Sequence, residues 1–134
     1  MLPDEIKPCM QGAIPAHVAT CSIDGVPNAT TISQVYYVDA THVALSNQFF
    51  NKTVRNVREN PYIAVTVWSP ANFGEWLLEA RFDHAETEGP VFDAIDMQIE
   101  AIASMSGLTG IFKLKAADIY EVLSVRKLKN RVHP

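Results

Sequence analysis

The chain is poor in the features that mark secreted, metal-binding and membrane-spanning proteins. Its 134 residues contain two cysteines, Cys9 and Cys21. Two distant thiols do not build a disulfide framework, and neither stands at a metal-ligand spacing. Both are expected to be reduced, as in a cytoplasmic protein. Cys21 falls in an apolar strand pattern and is expected in the core. Asp4 and Glu5 precede any apolar run, so no leader of the secretory type is expected. No unbroken apolar stretch is long enough for a bilayer. The segment Ser46–Thr53, which ends in Lys52-Thr53, contains no glycine and is not a phosphate-binding loop of the Walker type. Basic residues do not prevail either: the formal net charge is -4, and no nucleic-acid partner is expected. The one basic cluster, Arg126, Lys127, Lys129 and Arg131, reads as a solvated tail. The sequons at Asn28 and Asn51 carry no meaning without secretion.

What is present is a globular composition, 48% hydrophobic and 19% charged, in the length of one domain, taken as residues 1–134. Leu2 to Gly12 reads as a short helix closed by glycine. A strand is predicted over His17–Asp24, with Asp24-Gly25 as a hairpin turn. One long return strand is predicted over Pro27–Val38, then a turn at Asp39-Ala40 and a strand over Thr41–Ser46. Asn51 to Asn60 reads as a short helix, with Asn51 as its N-cap and Asn60-Pro61 as its stop. Tyr62–Trp68 is apolar on both faces, which predicts a strand covered on both sides. In the next strand Trp76, Leu78, Ala80 and Phe82 alternate with Glu79, Arg81 and Asp83. Pro90 opens a helix with Phe92, Ile95, Ile99 and Ile102 as its inner stripe, and Gly107 ends it. A last strand or strand pair falls within Ile111–Val125. Short connections favour antiparallel pairing in a closed or partly closed barrel.

The segment from Ser46 to Thr53 joins a strand end to a helix start. A helix start offers unpaired N–H groups and a partial positive charge. With the Lys52 ammonium, the Thr53 hydroxyl, the Asn51 amide and donors at Ser46 and Asn47, it can bind a phosphate. A plain capped helix with a surface lysine is the other reading. The polar run Thr30-Thr31-Ile32-Ser33-Gln34 offers backbone groups to the edge of a planar heterocycle, or a solvent face. His17, His42, His84 and His133 read as surface or core residues. Glu86, Glu88, Asp93 and Asp96 suit the start of the longer helix.

The succession Asp24-Gly25-Val26-Pro27, then Asn51-Lys52-Thr53-Val54-Arg55-Asn56-Val57, then Glu59-Asn60-Pro61 and an apolar strand, resembles the pyridoxamine 5′-phosphate oxidase-like FMN-binding split-barrel family. Thr87-Glu88-Gly89-Pro90-Val91-Phe92 is similar to the segment before the long helix of its small bacterial members. The resemblance covers roughly Ile14 to Val125. It implies a mainly β fold: an antiparallel split β-barrel of Greek-key type with flanking helices. It also implies FMN as cofactor, with Lys52 and Thr53, helped by Asn51, on the phosphate. Ser46 and Asn47 would lie near the phosphate and ribityl chain. Thr31, Ile32 and Ser33 would lie along the isoalloxazine edge, largely through backbone. A homodimer is implied, with the flavin near the subunit interface and Trp68 or Trp76 within reach of the partner's flavin.

Ile32-Ser33-Gln34-Val35, Phe49-Phe50-Asn51-Lys52-Thr53 and Asp118-Ile119-Tyr120-Glu121-Val122 also resemble the flavin-binding segment of some GAF-containing bacterial signalling proteins, where a longer chain would continue past the basic tail. True pyridoxamine phosphate oxidases have an arginine-rich flavin strand and a C-terminal arginine and histidine. Threonines stand in the strand here, so that substrate is not expected. The expected activity is that of an FMN-dependent oxidoreductase or electron-transfer protein acting with a small-molecule substrate or donor. The alternatives are a non-catalytic sensory module and a relative that binds haem or a deazaflavin.

Overall fold

The computed structural model describes residues 1–12, 14–32, 34–47, 52–105, 107 and 114–128, with backbone alone at 52, 102 and 103. Alternating apolar residues give seven strands: β1 Ala16–Cys21, β2 Pro27–Ile32, β3 Tyr36–Asp39, β4 His42–Asn47, β5 Tyr62–Trp68, β6 Glu75–Glu86 and β7 Ala116–Lys127. Helix α1, Lys52–Glu59, follows β4, and α2, Pro90–Met105, joins β6 to β7. Every pairing is antiparallel, in the order β2-β1-β5-β6-β7-β4-β3.

That order fixes the shape. β2 and β3 are the two opposite edges of the sheet, yet only residues 33–35 separate them in the chain. In a flat sheet the edges would stand about 29 Å apart, at about 4.8 Å per strand step. The four residue steps from Ile32 to Tyr36 reach roughly 14 Å. The sheet therefore curls until its edges approach, without the two edges pairing: a split barrel. The long strand expected over Pro27–Val38 is divided for this reason. Val35, fully buried, leaves the ladder, and Gln34 Nε2 donates to the Met10 carbonyl at 2.8 Å.

The inner face holds Val18, Val43, Leu45, Ile63, Val65, Val67, Trp76, Leu78, Tyr120 and Val122 in one cluster. Each fully buried aliphatic side chain there contributes about 1.5–3 kcal/mol. A second cluster on the opposite face packs Ile95 and Ile99 of α2 against Ala44, Ala117 and Ile119. The segment read as an N-terminal helix is a 3-10 helix, Asp4–Met10, with Pro8 inside it. Proline has no N–H for an α-helical bond, which keeps this segment short and irregular. Gly25 has φ 86° in the β1–β2 turn, a conformation that costs other residues a Cβ clash. Cys9, not Cys21, is the core thiol; Cys21 is half-buried on the outer face.

Candidate functional site

Two side-chain bonds fasten α1 to the β1–β2 hairpin. Asn56 Nδ2 donates to Thr20 Oγ1 at 3.1 Å in the core, and Asn28 Nδ2 donates to Thr53 Oγ1 at 3.2 Å. Thr20 and Asn28 are cross-strand partners, so the two bonds hold the first two turns of α1 against a single rung of the ladder. The Thr53 oxygen is an acceptor in this bond, which leaves its own proton for another acceptor. The first turn of α1 carries no acidic residue. The macrodipole there is not offset by a carboxylate of that turn, and the first helical residue is a lysine. In α2, by contrast, Asp93 stands in the first turn.

Strand alternation sorts the expected site residues. Ile32 is half-buried and packs on the inner cluster, whereas Thr31 is exposed on the opposite side of β2. β2 is an edge strand, so alternate backbone groups of Thr31 and Ile32 face away from β1, as a heterocycle edge would need. In β4, Val43 and Leu45 point inward, which puts Asn47 on the inner face and Ser46 on the face toward α2. Tyr36 pairs with Ala44, so the crossing from β2 to β3 passes the end of β4 where Asn47 sits. The barrel seam thereby brings the ends of β2 and β4 to one region. Ser33 and Asn51 lie outside the described residues.

Asn47 Oδ1 is buried and has no hydrogen-bond partner among the described residues. A buried amide oxygen left unpaired costs about 1–3 kcal/mol. Its backbone is ordinary: the Asn47 carbonyl accepts from Lys115 N at 2.8 Å.

β7 adds a group not anticipated from the sequence. Asp118 pairs with Leu45 and shares the inner face with Tyr120. Burial raises its pKa to about 6 from 3.8, against the opposing field of Arg58. Burial and the neighbouring Asp118 also push the Tyr120 phenol up. The folded chain thus holds the Asp118 proton more tightly than the unfolded chain does. Its contribution to stability falls as pH rises from about 4 to 6 and stays low above that. Asp118→Asn is expected to stabilise the apoprotein by about 1 kcal/mol at pH 8, after allowance for partial exposure, and to leave pH 4 unchanged. Thermal melts at the two pH values check this.

The histidines that read as surface residues include His84, whose ring nitrogens lie 2.8 Å from Asp83 and 2.8 Å from Glu86, raising its pKa. His42 lies 3.0 Å from Asp39. His133 lies outside the described residues. The tryptophans separate: Trp76 is in the inner core under Lys127, while Trp68 is on the outer face, edge-on to His17 at 4.8 Å. That outer face of β1, β5 and β6 carries a groove of about 370 Å³ lined by Ala19, Cys21, Ala64, Leu77 and the exposed Tyr62 and Leu123. The strand expected to be covered on both faces is covered on its inner face alone in the single chain.

The family model for pyridoxamine 5′-phosphate oxidase matches residues 2–123. An uncharacterized protein of Methanocaldococcus jannaschii is 41% identical over 51 residues, which are 37% of this chain and 34% of that protein, about a third of the relative's length. Among solved structures, an FMN-binding protein from Syntrophomonas wolfei subsp. wolfei superposes with a TM-score of 0.77 at 15% identity, over 94% of this chain and 84% of that one. An F420 reductase gives 0.66 at 13% identity, over 94% and 98%. The haem storage protein HutZ from Vibrio cholerae gives 0.59 at 16%, over 95% of each. At these identities the structural likeness is one of fold.

Proposed function

The chain belongs to the pyridoxamine 5′-phosphate oxidase family, and from that premise we propose that it is an FMN-binding oxidoreductase or electron-transfer protein that works as a homodimer. The observation that favours a ribityl-bearing flavin over haem is Asn47 Oδ1, buried and without a partner among the described residues. A ligand that brings an O–H or N–H donor to this acceptor removes that cost. The ribityl hydroxyls of FMN supply one. A haem with ionised propionates supplies none.

The rest of the site accords with an elongated ligand that is anionic at one end and planar at the other. The start of α1, with Lys52, the positive end of the helix dipole and the Thr53 proton, takes the phosphate. The free edge of β2 at Thr31–Ile32 and the following Ser33 takes the ring. From Asn28, which holds Thr53, to Ile32, the strand rises about 13 Å. Bound FMN would exchange electrons at its isoalloxazine ring; the protein's own residues hold and orient it. A second copy covering the outer face around Tyr62, Ala64, Leu77, Leu123 and Trp68 would bury the exposed side of β5. Among the described residues no helix is long and apolar enough to cross a membrane. A cytoplasmic location suits the two unpaired thiols.

Titration of apoprotein with FMN, followed by sedimentation velocity, tests the proposal. Saturation at one FMN per chain in a dimer is expected. A monomer that leaves flavin fluorescence unquenched would rule it out.

A further inference from the structure

Past the end of β2, on the side of the sheet that carries α2, β3 and α2 leave a pocket of about 360 Å³ between them. That volume lies in the range of small-molecule sites. The pocket exists because α2 rests on the strands beyond β3: Ile95 and Ile99 pack against Ala44 of β4 and Ala117 and Ile119 of β7. Tyr36 and Val38 form one wall and Val91 and Ala94 the other, and Gln34 and Gln98 also line it. Gln34 is fixed by its bond to the Met10 carbonyl. Tyr36 is half-buried, and burial raises its phenol pKa with no hydrogen bond or charge acting on it among the described residues. It is therefore a neutral phenol whose proton is available to an acceptor.

The charge of the pocket narrows what it can hold. None of the described lining residues is charged. The charged residues of α2, Asp93, Asp96 and Glu100, are all acidic. Lys7 stands over the Tyr37 ring, which packs on the inner cluster at the other face of β3. A phosphorylated or carboxylated compound would thus meet no cation in the pocket and would lose its hydration for nothing. An apolar ring gains by burial against Val38 and Val91. We propose that this pocket binds an uncharged aromatic carbonyl compound, its ring between β3 and α2 and its carbonyl accepting from the Tyr36 hydroxyl. The pocket begins at Gln34, two residues past Ile32 and at most about 7 Å along the chain. That the occupant is the protein's substrate rests on the flavin reading, which lays the ring along Thr31–Ser33; the binding itself does not.

The test uses three probes of one ring system: 1-tetralone, which has the ketone, tetralin, which lacks it, and a carboxylated tetralone, which adds an anion. Binding to the apoprotein is read from NMR shift changes, so no flavin is needed. Saturable binding of tetralone is expected, with tetralin weaker by roughly threefold or more and the carboxylate weaker still. Tyr36→Phe removes the hydroxyl alone. It should weaken tetralone about three- to tenfold, the worth of one hydrogen bond, and leave tetralin within about twofold. Ala94→Phe, at an exposed position of α2, should fill the pocket and abolish binding of both with the melting temperature unchanged. Absence of tetralone binding, binding that both variants leave unchanged, or equal losses for tetralone and tetralin in Tyr36→Phe overturn the inference. In FMN-loaded protein, tetralone that shifts the flavin absorption supports the substrate role, and binding without such a shift refutes that role while the pocket stands. Failure of the wild type to bind FMN overturns the flavin reading and leaves the apoprotein test to decide the pocket.

Discussion

Lys52→Ala is expected to lower FMN affinity by about 1.5–3 kcal/mol, the range for a hydrogen bond to a charged group, or roughly 10- to 150-fold. Riboflavin affinity should barely move, because it has no phosphate for an ammonium to meet. Lys52→Arg should restore most of the loss, since both cations pair with phosphate. The apoprotein should not be weakened. A cation at the first position of a helix opposes the macrodipole, so its removal is neutral or stabilising by a few tenths of a kcal/mol. A lysine that served the fold would show the reverse: lower stability and no selectivity between the two flavins. Isothermal titration of both ligands, with a denaturant curve for each variant, separates the cases.

Asn47→Leu should produce a similar crossing of effects from the middle of the ligand. In the apoprotein it removes a buried oxygen that has no partner among the described residues, and the expected change is a gain of about 1 kcal/mol. In the complex it places an apolar side chain against a ligand hydroxyl, and the affinity for FMN should fall by about 2 kcal/mol, roughly thirtyfold. Stability and affinity therefore move in opposite directions. If both fall together, Asn47 is a structural residue with an unseen donor, and its part in the site must be withdrawn.

The elements that the sequence specified well are those set by local chemistry. β5 spans Tyr62–Trp68, as its run of β-branched and aromatic residues implied. α2 begins at Pro90, whose missing N–H costs nothing there. The strict alternation of β6 placed Trp76, Leu78, Ala80 and Phe82 inward. α1 could be read from its polar face and its Asn60-Pro61 stop.

The features that escaped depend on partners far away in the chain. Nothing local to Pro27–Val38 says that a strand must break so that one sheet edge can join the other; that follows from the strand order alone. Asn28 looked like an idle sequon, because its bond to Thr53 spans 25 residues. Asp118 is one acid within Ala116-Ala117-Asp118-Ile119-Tyr120, and only the register with Leu45 puts it on the inner face beside Asn47. A lone carboxylate at an inward position of an apolar strand was the available signal. Cys21 misled for the converse reason: an apolar run does not tell which face is covered.

The most direct test of the proposal that the chain binds a phosphate at α1 and a hydroxyl chain at β4 is to ask what the protein carries. Native mass spectrometry of protein purified without added cofactor, with an absorption spectrum of the same sample, gives the answer. One FMN per chain, with flavin absorption, is the expected result. A haem adduct, or a colourless chain that also declines added FMN, would contradict the account.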